Sequence, residues 1–427
     1  MERLLIHQLL KWKESTHRKP LVLEGARQVG KTWLLREFGK KYFKDVCYIN
    51  FEQKDRLESI FAGDLSPQFI IEQLSIYHGK PIKPQTTLIV FDEVQEMPRA
   101  LTSLKYFCEE APEYAICCAG SLLGIALHEG TSFPVGKTDF LHLYPLTFKE
   151  FLLANGEQML VDYIQQGNRN VKAFEPRLID YLKRYMIVGG MPAVVNEWLD
   201  TKDFTKVEKI QKQLIAAYQK DFSKHAPHQM VEKIRYVWNS ITSQLAKENK
   251  KFVYGAVKKS ARAADFEMAI QWLIDAGLAY KVPRVNAPRL PLKFYEDISA
   301  FKLFMLDVGL MGAMAETTAE SVVVGDNIFS EYKGAFTELY VFTQLKALGY
   351  SLYYHAVDNS TIEIDFLTQR DNQVIPIEVK AEVNVKAKSL RTFISNNPEL
   401  KGIRFSMLPY KEQDWMTNIP LYACMAW

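Results

Sequence analysis

The chain has 427 residues, of which 48% are hydrophobic and 24% charged, the balance of a soluble globular protein too long for one core. Its net charge of +3 is nearly neutral, so it neither demands nor excludes nucleic acid, since a local basic face can sit inside a neutral total. The five cysteines show no CxxC spacing, and Cys117 and Cys118 lie in an apolar run as buried strand residues would, a pattern that fits a reducing cytoplasm.

The first ten residues read as the start of an amphipathic helix, with an apolar run too short and interrupted for a signal peptide. Short apolar runs at 21–24, 47–51, 88–91, 115–119 and 140–143 then alternate with helical patterns. Being continuous and rich in Val, Ile and Leu, they predict strands buried on both faces of a parallel sheet, an α/β signature. From 148 to 199 the pattern is helical with one break at Gly189-Gly190-Met191-Pro192, which also prevents 185–195 from spanning a bilayer. Further helices are expected at 206–222, 231–248 and 262–276, followed by a strand-like run at 277–282. That order reads as a winged helix or as a plain helical spacer. Three prolines mark 283–291 as a connector, with a strand and helix after it at 293–310. The end returns to α/β, with a helix at 327–348 and strands at 351–355, 362–368, 374–381 and 402–407.

This divides the chain into an α/β core at 1–150, a helical extension or lid at 151–203, a winged helix or helical spacer at 204–285, a connector at 286–326 and an α/β end at 327–427.

Two segments about sixty residues apart carry the first site. Gly25-Ala26-Arg27-Gln28-Val29-Gly30-Lys31-Thr32 matches GxxxxGK[ST] between a predicted strand and a predicted helix. Its glycines let backbone N–H groups turn toward phosphates, Lys31 adds a point charge there, and Thr32 offers a hydroxyl to Mg²⁺. In the second segment, Leu88-Ile89-Val90-Phe91 ends at Asp92, which places a carboxylate at a strand's C-terminal edge, where it can hold magnesium. Glu93 can orient or deprotonate the attacking water. An acidic pair that merely caps the next helix is the plainer alternative. Ser121, after another apolar strand, is a candidate sensor of the γ-phosphate or an ordinary helix cap. The sequence assigns no arginine finger: Arg27, Arg99, Lys137 and Arg184 are the candidates, and each reads equally as a solvated cation.

A second constellation lies near the C-terminus. Glu338 is on a predicted helix, Asp365 within a strand, and Glu378 and Lys380 two residues apart on one face of another strand. A hairpin between the two strands would bring Asp365 beside Glu378. The carboxylates could then bind a second divalent ion, Mg²⁺ or Mn²⁺, while the lysine positions water or stabilises charge at a phosphodiester. This D-x(n)-ExK pattern resembles the PD-(D/E)xK nucleases, with Ile364 where proline often precedes the Asp. A salt-bridged sheet face explains the same residues, and Glu363 is a competing ligand or a bystander. Lys247, Lys250, Lys251, Lys258, Lys259 and Arg262 cluster by the expected winged helix, as a DNA-phosphate contact or a solvated face.

The whole series resembles the archaeal-type ATPase family, which joins an AAA-like domain to a C-terminal domain of unknown function with a nuclease-like fold. The match runs through the two nucleotide-site segments with Val94 and Gln95, through Gly120-Ser121, the 144–151 run Tyr144-Pro145-Leu146-Thr147-Phe148-Lys149-Glu150-Phe151, and Gly189-Gly190-Met191-Pro192. It continues through Leu306-Asp307-Val308-Gly309-Leu310, Gly334 with Glu338, and the two C-terminal strand motifs. At Gly136-Lys137 the family usually has Gly-Arg, and a lysine cannot reproduce a bidentate fork. The resemblance implies ATP binding with Mg²⁺-dependent hydrolysis and an α/β fold class in which an AAA-like P-loop NTPase parallel sheet at 1–150 is joined through a helical extension and winged-helix middle to a PD-(D/E)xK restriction-endonuclease-like domain at 327–427. The partners expected of the chain are ATP, DNA and a homo-oligomer or protein partner, with no membrane association.

Overall fold

The structure, a computed structural model, describes residues 1–120, 134–167, 173–247, 250–259, 262–317, 330–357, 362–381 and 387–427. They fall into two compact units: Met1–Tyr144 with Asp275–Gly277, and Pro145–Ile274 with Leu278–Trp427.

In the first unit, strands β1 (Leu21–Glu24), β2 (Asp45–Asn50), β3 (Thr87–Asp92), β4 (Ala115–Ala119) and β5 (Asp139–His142) form one sheet in the order β2-β3-β4-β1-β5. Every pairing is parallel. β3 and β4 are buried along their whole length, as continuous apolar runs in a parallel sheet should be. Cys117 and Cys118 are among those buried strand residues. Helices Lys54–Ala62, Pro67–His78 and Pro98–Glu110 pack a core on the sheet that includes Phe51, Phe61, Phe91 and Phe107. Because β4 lies between β1 and β3, the loop after β1 and the acids after β3 emerge at the same edge, one strand apart.

The second unit begins with helices Phe148–Ala154, Gln158–Gln165, Glu175–Val188, Pro192–Thr201, Phe204–His225 and His228–Leu245. The 144–151 run proves to be a helix start: Thr147 and Glu150 form a reciprocal capping box, and Phe148 packs edge-on against Tyr185 and Tyr340. The Gly189-Gly190 break is explained by a buried neighbour. Asp307 Oδ2 accepts from Gly190 N at 2.6 Å and Oδ1 from Leu310 N at 2.9 Å, and a Cβ at Gly190 would meet Leu146 O at 2.1 Å. Burial pushes the Asp307 carboxyl up to about 6 against the pull of these backbone N–H groups. Two motifs 117 residues apart are thus one structural joint.

Helices Tyr254–Val257 and Ala263–Asp275 lead into strands β6 (Ala279–Val285) and β7 (Glu296–Met305). Strands β8 (Tyr353–Ala356), β9 (Glu363–Arg370), β10 (Gln373–Val379), β11 (Gly402–Ser406), β12 (Lys411–Glu412) and β13 (Met416–Pro420) complete an eight-stranded sheet ordered β12-β13-β11-β10-β9-β8-β6-β7. The β6–β7 hairpin is therefore part of this sheet, with β6 pairing parallel to β8. Residues expected to form a connector carry β7 and the buried helix Val308–Met314. Helix Ser330–Ala347 supplies Leu339, Tyr340, Val341 and Leu345 to the interior, and helix Lys388–Asn396 buries Leu390, Phe393 and Ile394. Among the described residues no helix is long and apolar enough to cross a membrane.

Candidate functional sites

The loop after β1 is shaped for close backbone approach. Gly25 has φ +140°, and a Cβ there would meet Leu143 O at 2.3 Å, so the position tolerates only glycine. Gly30 caps helix Lys31–Tyr42 in the left-handed region, which leaves that helix's first N–H groups aimed into the loop. Lys31 is buried, with Nζ donating to Gly25 O and Ala26 O at 2.8 Å each. Burial lowers its pKa to about 8, although Glu93 and Asp92 favour the charged form.

Across the sheet edge, Thr32 Oγ1 donates to Asp92 Oδ2 at 2.8 Å, and the Tyr48 hydroxyl donates to the same oxygen at 2.6 Å. Asp92 is buried. Hydroxyl and carboxylate oxygens in contact are the hard donors that Mg²⁺ prefers. Glu93 takes a left-handed backbone conformation that turns it out of the strand, and Gln95 Nε2 donates to its Oε2 at 2.6 Å. The structure thus brings Lys31, Thr32, Asp92 and Glu93 into one site. Ser121 lies outside the described residues. Arg99 is held by Phe61 O and Gly63 O, Lys137 pairs with Glu109 at 2.8 Å and Arg184 with Asp180 at 2.7 Å.

Two residues here had gone unnoticed in the sequence. Arg3 is buried, and its guanidinium donates to Val29 O at 2.7 Å and Tyr144 O at 2.6 Å, tying the loop to the chain after β5. Tyr48 supports Asp92 from β2, and burial together with that hydrogen bond raises its pKa. A polar tip alternating with buried Cys47 and Ile49 on a strand beside the acidic strand was the available signal for Tyr48. Nothing local marked Arg3.

In the second unit, β9 and β10 pair antiparallel as the hairpin required, and Asp365 Oδ2 accepts from Val379 N at 2.7 Å. Glu378, Arg404 and Asn418 stand in register across β10, β11 and β13. Arg404 Nε and Ser406 Oγ both donate to Asn418 Oδ1, at 2.8 and 2.7 Å. Glu338 and Glu378 are buried and Lys302 on β7 is wholly so.

Lysines hold these carboxylates. Lys250 pairs with Glu338 Oε1, Lys380 with Glu378 Oε1 at 2.6 Å, and Lys302 with Glu363 Oε1 at 2.6 Å. Among the described residues no three His, Cys, Asp or Glu side chains stand as a preformed metal cage. Glu338, Asp365 and Glu378, expected to hold a second divalent ion, stand among the ammonium groups of Lys250, Lys302 and Lys380. Lys250, one of a basic group read as a DNA-phosphate contact or a solvated face, pairs with Glu338, and Glu363 is a lysine partner. Burial and the nearby Asp365 charge push both Glu338 and Glu378 up to about 7. Burial acts upward on Asp365 too, but Lys250, Lys302, Lys380 and the Val379 N–H hold it below the usual carboxylate range.

A parallel sheet with a glycine-rich phosphate loop after β1 and an acidic pair after β3 defines the first unit as a P-loop NTPase domain. Comparison with known proteins agrees, since residues 17–152 match the family described as AAA domain. Residues 179–321 and 333–423 match two domains of unknown function, DUF8612 and DUF4143. An uncharacterized protein of Methanocaldococcus jannaschii is 24% identical over 407 residues, which cover 92% of this chain and 82% of that protein. Similar solved structures include the Walker-type ATPase of Pyrococcus abyssi, at 15% identity and TM-score 0.42, covering 73% of this chain and 94% of that one. The Aeropyrum pernix ORC1 protein in complex with DNA is 12% identical at TM-score 0.28, covering 73% and 90%.

Proposed function

We propose that this chain is a Mg²⁺-dependent ATPase that couples nucleotide state to a nuclease-like C-terminal domain acting on DNA. The observation that carries the ATPase reading is the contact of Thr32 with Asp92 beside the buried Lys31 ammonium. Lys31 and the loop N–H groups hold the β- and γ-phosphates. Thr32 and Asp92 hold the magnesium, which supplies charge neutralisation at the transferring phosphoryl group. Glu93, oriented by Gln95, aligns and deprotonates the attacking water.

The DNA-acting half of the proposal has two supports. Glu338, Asp365, Glu378 and Lys380 converge from one helix and two adjacent strands. Lys258, Lys259 and Arg262 are exposed between helices Tyr254–Val257 and Ala263–Asp275, which with the β6–β7 hairpin follow a winged-helix order. A second reading, a nucleotide-dependent switch whose C-terminal domain only docks DNA or a protein, draws on the lysines already paired to those carboxylates.

ATP binding and turnover in two variants test the ATPase reading. Lys31→Ala abolishes ATP binding. Glu93→Gln keeps ATP bound and slows turnover about 100-fold or more. Unchanged turnover in both variants would end the reading.

A further inference from the structure

Helix Lys31–Tyr42 begins at the phosphate loop and packs on β2, the edge strand of the first sheet. Its inner face buries Leu34, Leu35 and Phe38. Beside β2 its outer flank borders an open groove of about 640 Å³, within the size range of ligand clefts. Trp33, Arg36 and Lys40 line this groove from the helix, and Tyr48 lines it from the strand.

These side chains do not serve the core. Trp33 is 45% exposed, an indole left in solvent directly after Thr32. Arg36 and Lys40 are exposed, and among the described residues neither meets a carboxylate. Tyr48 carries the Arg36 guanidinium 5.0 Å from its ring centroid, which orients the planar cation and leaves its N–H fork to take a phosphate. Exposed Lys41 and Lys44 continue the positive series past Lys40. Glu37 is the one acid among the described lining residues, so the groove keeps a net positive charge.

We propose that this groove binds a short stretch of single-stranded nucleic acid, with a base stacked on Trp33 and phosphates on Arg36 and Lys40. An aromatic platform beside a row of cations is the pairing that holds single strands, because every base has a face to stack and every linkage a charge to neutralise. Trp33 and Lys40 are seven residues apart, about 10 Å along a helix, which is the rise of about three stacked nucleotides. A duplex keeps its base faces stacked inside and offers none to Trp33. An acidic peptide would use the cations and leave the indole idle. Tyr48, which carries Arg36, also donates to Asp92 Oδ2, so the bound strand lies beside the magnesium ligands. The site belongs to the ATPase unit and stands whether or not the C-terminal carboxylates cut a phosphodiester.

The test is the fluorescence anisotropy of a labelled oligothymidylate of about ten nucleotides, added to the full chain without ATP. Every protein in the series carries Lys258→Glu and Lys259→Glu, so that the exposed basic connection of the second unit does not report. Against that parent, Arg36→Gln with Lys40→Gln is expected to weaken binding about tenfold or more and to lower its salt dependence. Trp33→Ala is expected to weaken it about fivefold or more, while Trp33→Phe, which keeps a ring, retains most of it. A duplex of the same length binds more weakly than the single strand. Lys31→Ala, which disables the phosphate loop, leaves oligothymidylate binding unchanged, so the outcome is independent of the ATPase reading. The proposal is overturned if the parent does not bind the strand, if Trp33→Ala or the neutral pair binds as the parent does, or if the duplex binds as tightly. Loss of binding in Lys31→Ala would also overturn it, by placing the strand in the phosphate loop.

Discussion

Asp92 and Glu338 are both buried acids reached by side chains distant in sequence, yet Asp92 is held by two hydroxyls and Glu338 by an ammonium. A neutral donor orients a carboxylate and leaves its charge free to meet a cation. An ammonium cancels that charge beforehand. The same residue types thus make an acid held by hydroxyls in one unit and a neutralised cluster in the other. The lysines differ correspondingly: Lys31 rests on backbone carbonyls, which a phosphate can outbid, whereas Lys380 is bound to the carboxylate it neighbours.

The largest effect that would sharpen this contrast is on pH-dependent stability. Glu338 and Glu378 sit at about 7 in the folded protein, against an ordinary glutamate near 4.5 when unfolded. The folded state therefore keeps protons that the unfolded chain has released. The stability this contributes is present below about 4.5 and lost as pH rises through about 7, a change of a few kcal/mol. The melting temperature of the second unit is expected to fall between about pH 4.5 and 7, and Glu378→Gln to flatten the slope. A wild-type slope near zero would mean that the lysines fully compensate the buried charges.

Next comes Arg3→Ala, which takes the donor from Val29 O and Tyr144 O. Calorimetry should show the first unit destabilised by roughly 1–3 kcal/mol, with a raised KM for ATP because Val29 belongs to the phosphate loop. Full activity and stability would make the clamp incidental. The smallest effect is that of Tyr48→Phe, which removes one of the two hydroxyls on Asp92. It should raise the Mg²⁺ concentration needed for half-maximal turnover about fivefold while leaving the fold intact. No change in Mg²⁺ dependence would mean that Thr32 alone suffices.

Much of this was legible in the chain itself. β1 and β4 occupy the runs expected at 21–24 and 115–119, because strands buried on both faces leave an uninterrupted apolar record. The phosphate loop and Asp92 were legible because their spacing and flanking elements are local. Asp365 beside Glu378 followed from strand alternation and one hairpin. Partner choice was not legible. Arg3 meets a carbonyl 141 residues away and Lys250 a carboxylate 88 residues away, and periodicity assigns a residue to a face without naming what that face meets. For the same reason Lys250 read as one of a basic group meeting DNA phosphates or solvent, and the 144–151 run as part of a family signature when its structural work is to cap a helix and fill an aromatic cluster.

The most direct test of the account is ATP hydrolysis measured against Mg²⁺ concentration for the wild type and for Asp92→Asn. The account predicts Mg²⁺-saturable turnover in the wild type and, in the variant, a requirement for about tenfold or more Mg²⁺ with turnover sharply reduced. Turnover that is independent of Mg²⁺, or that is the same in both proteins, would contradict it.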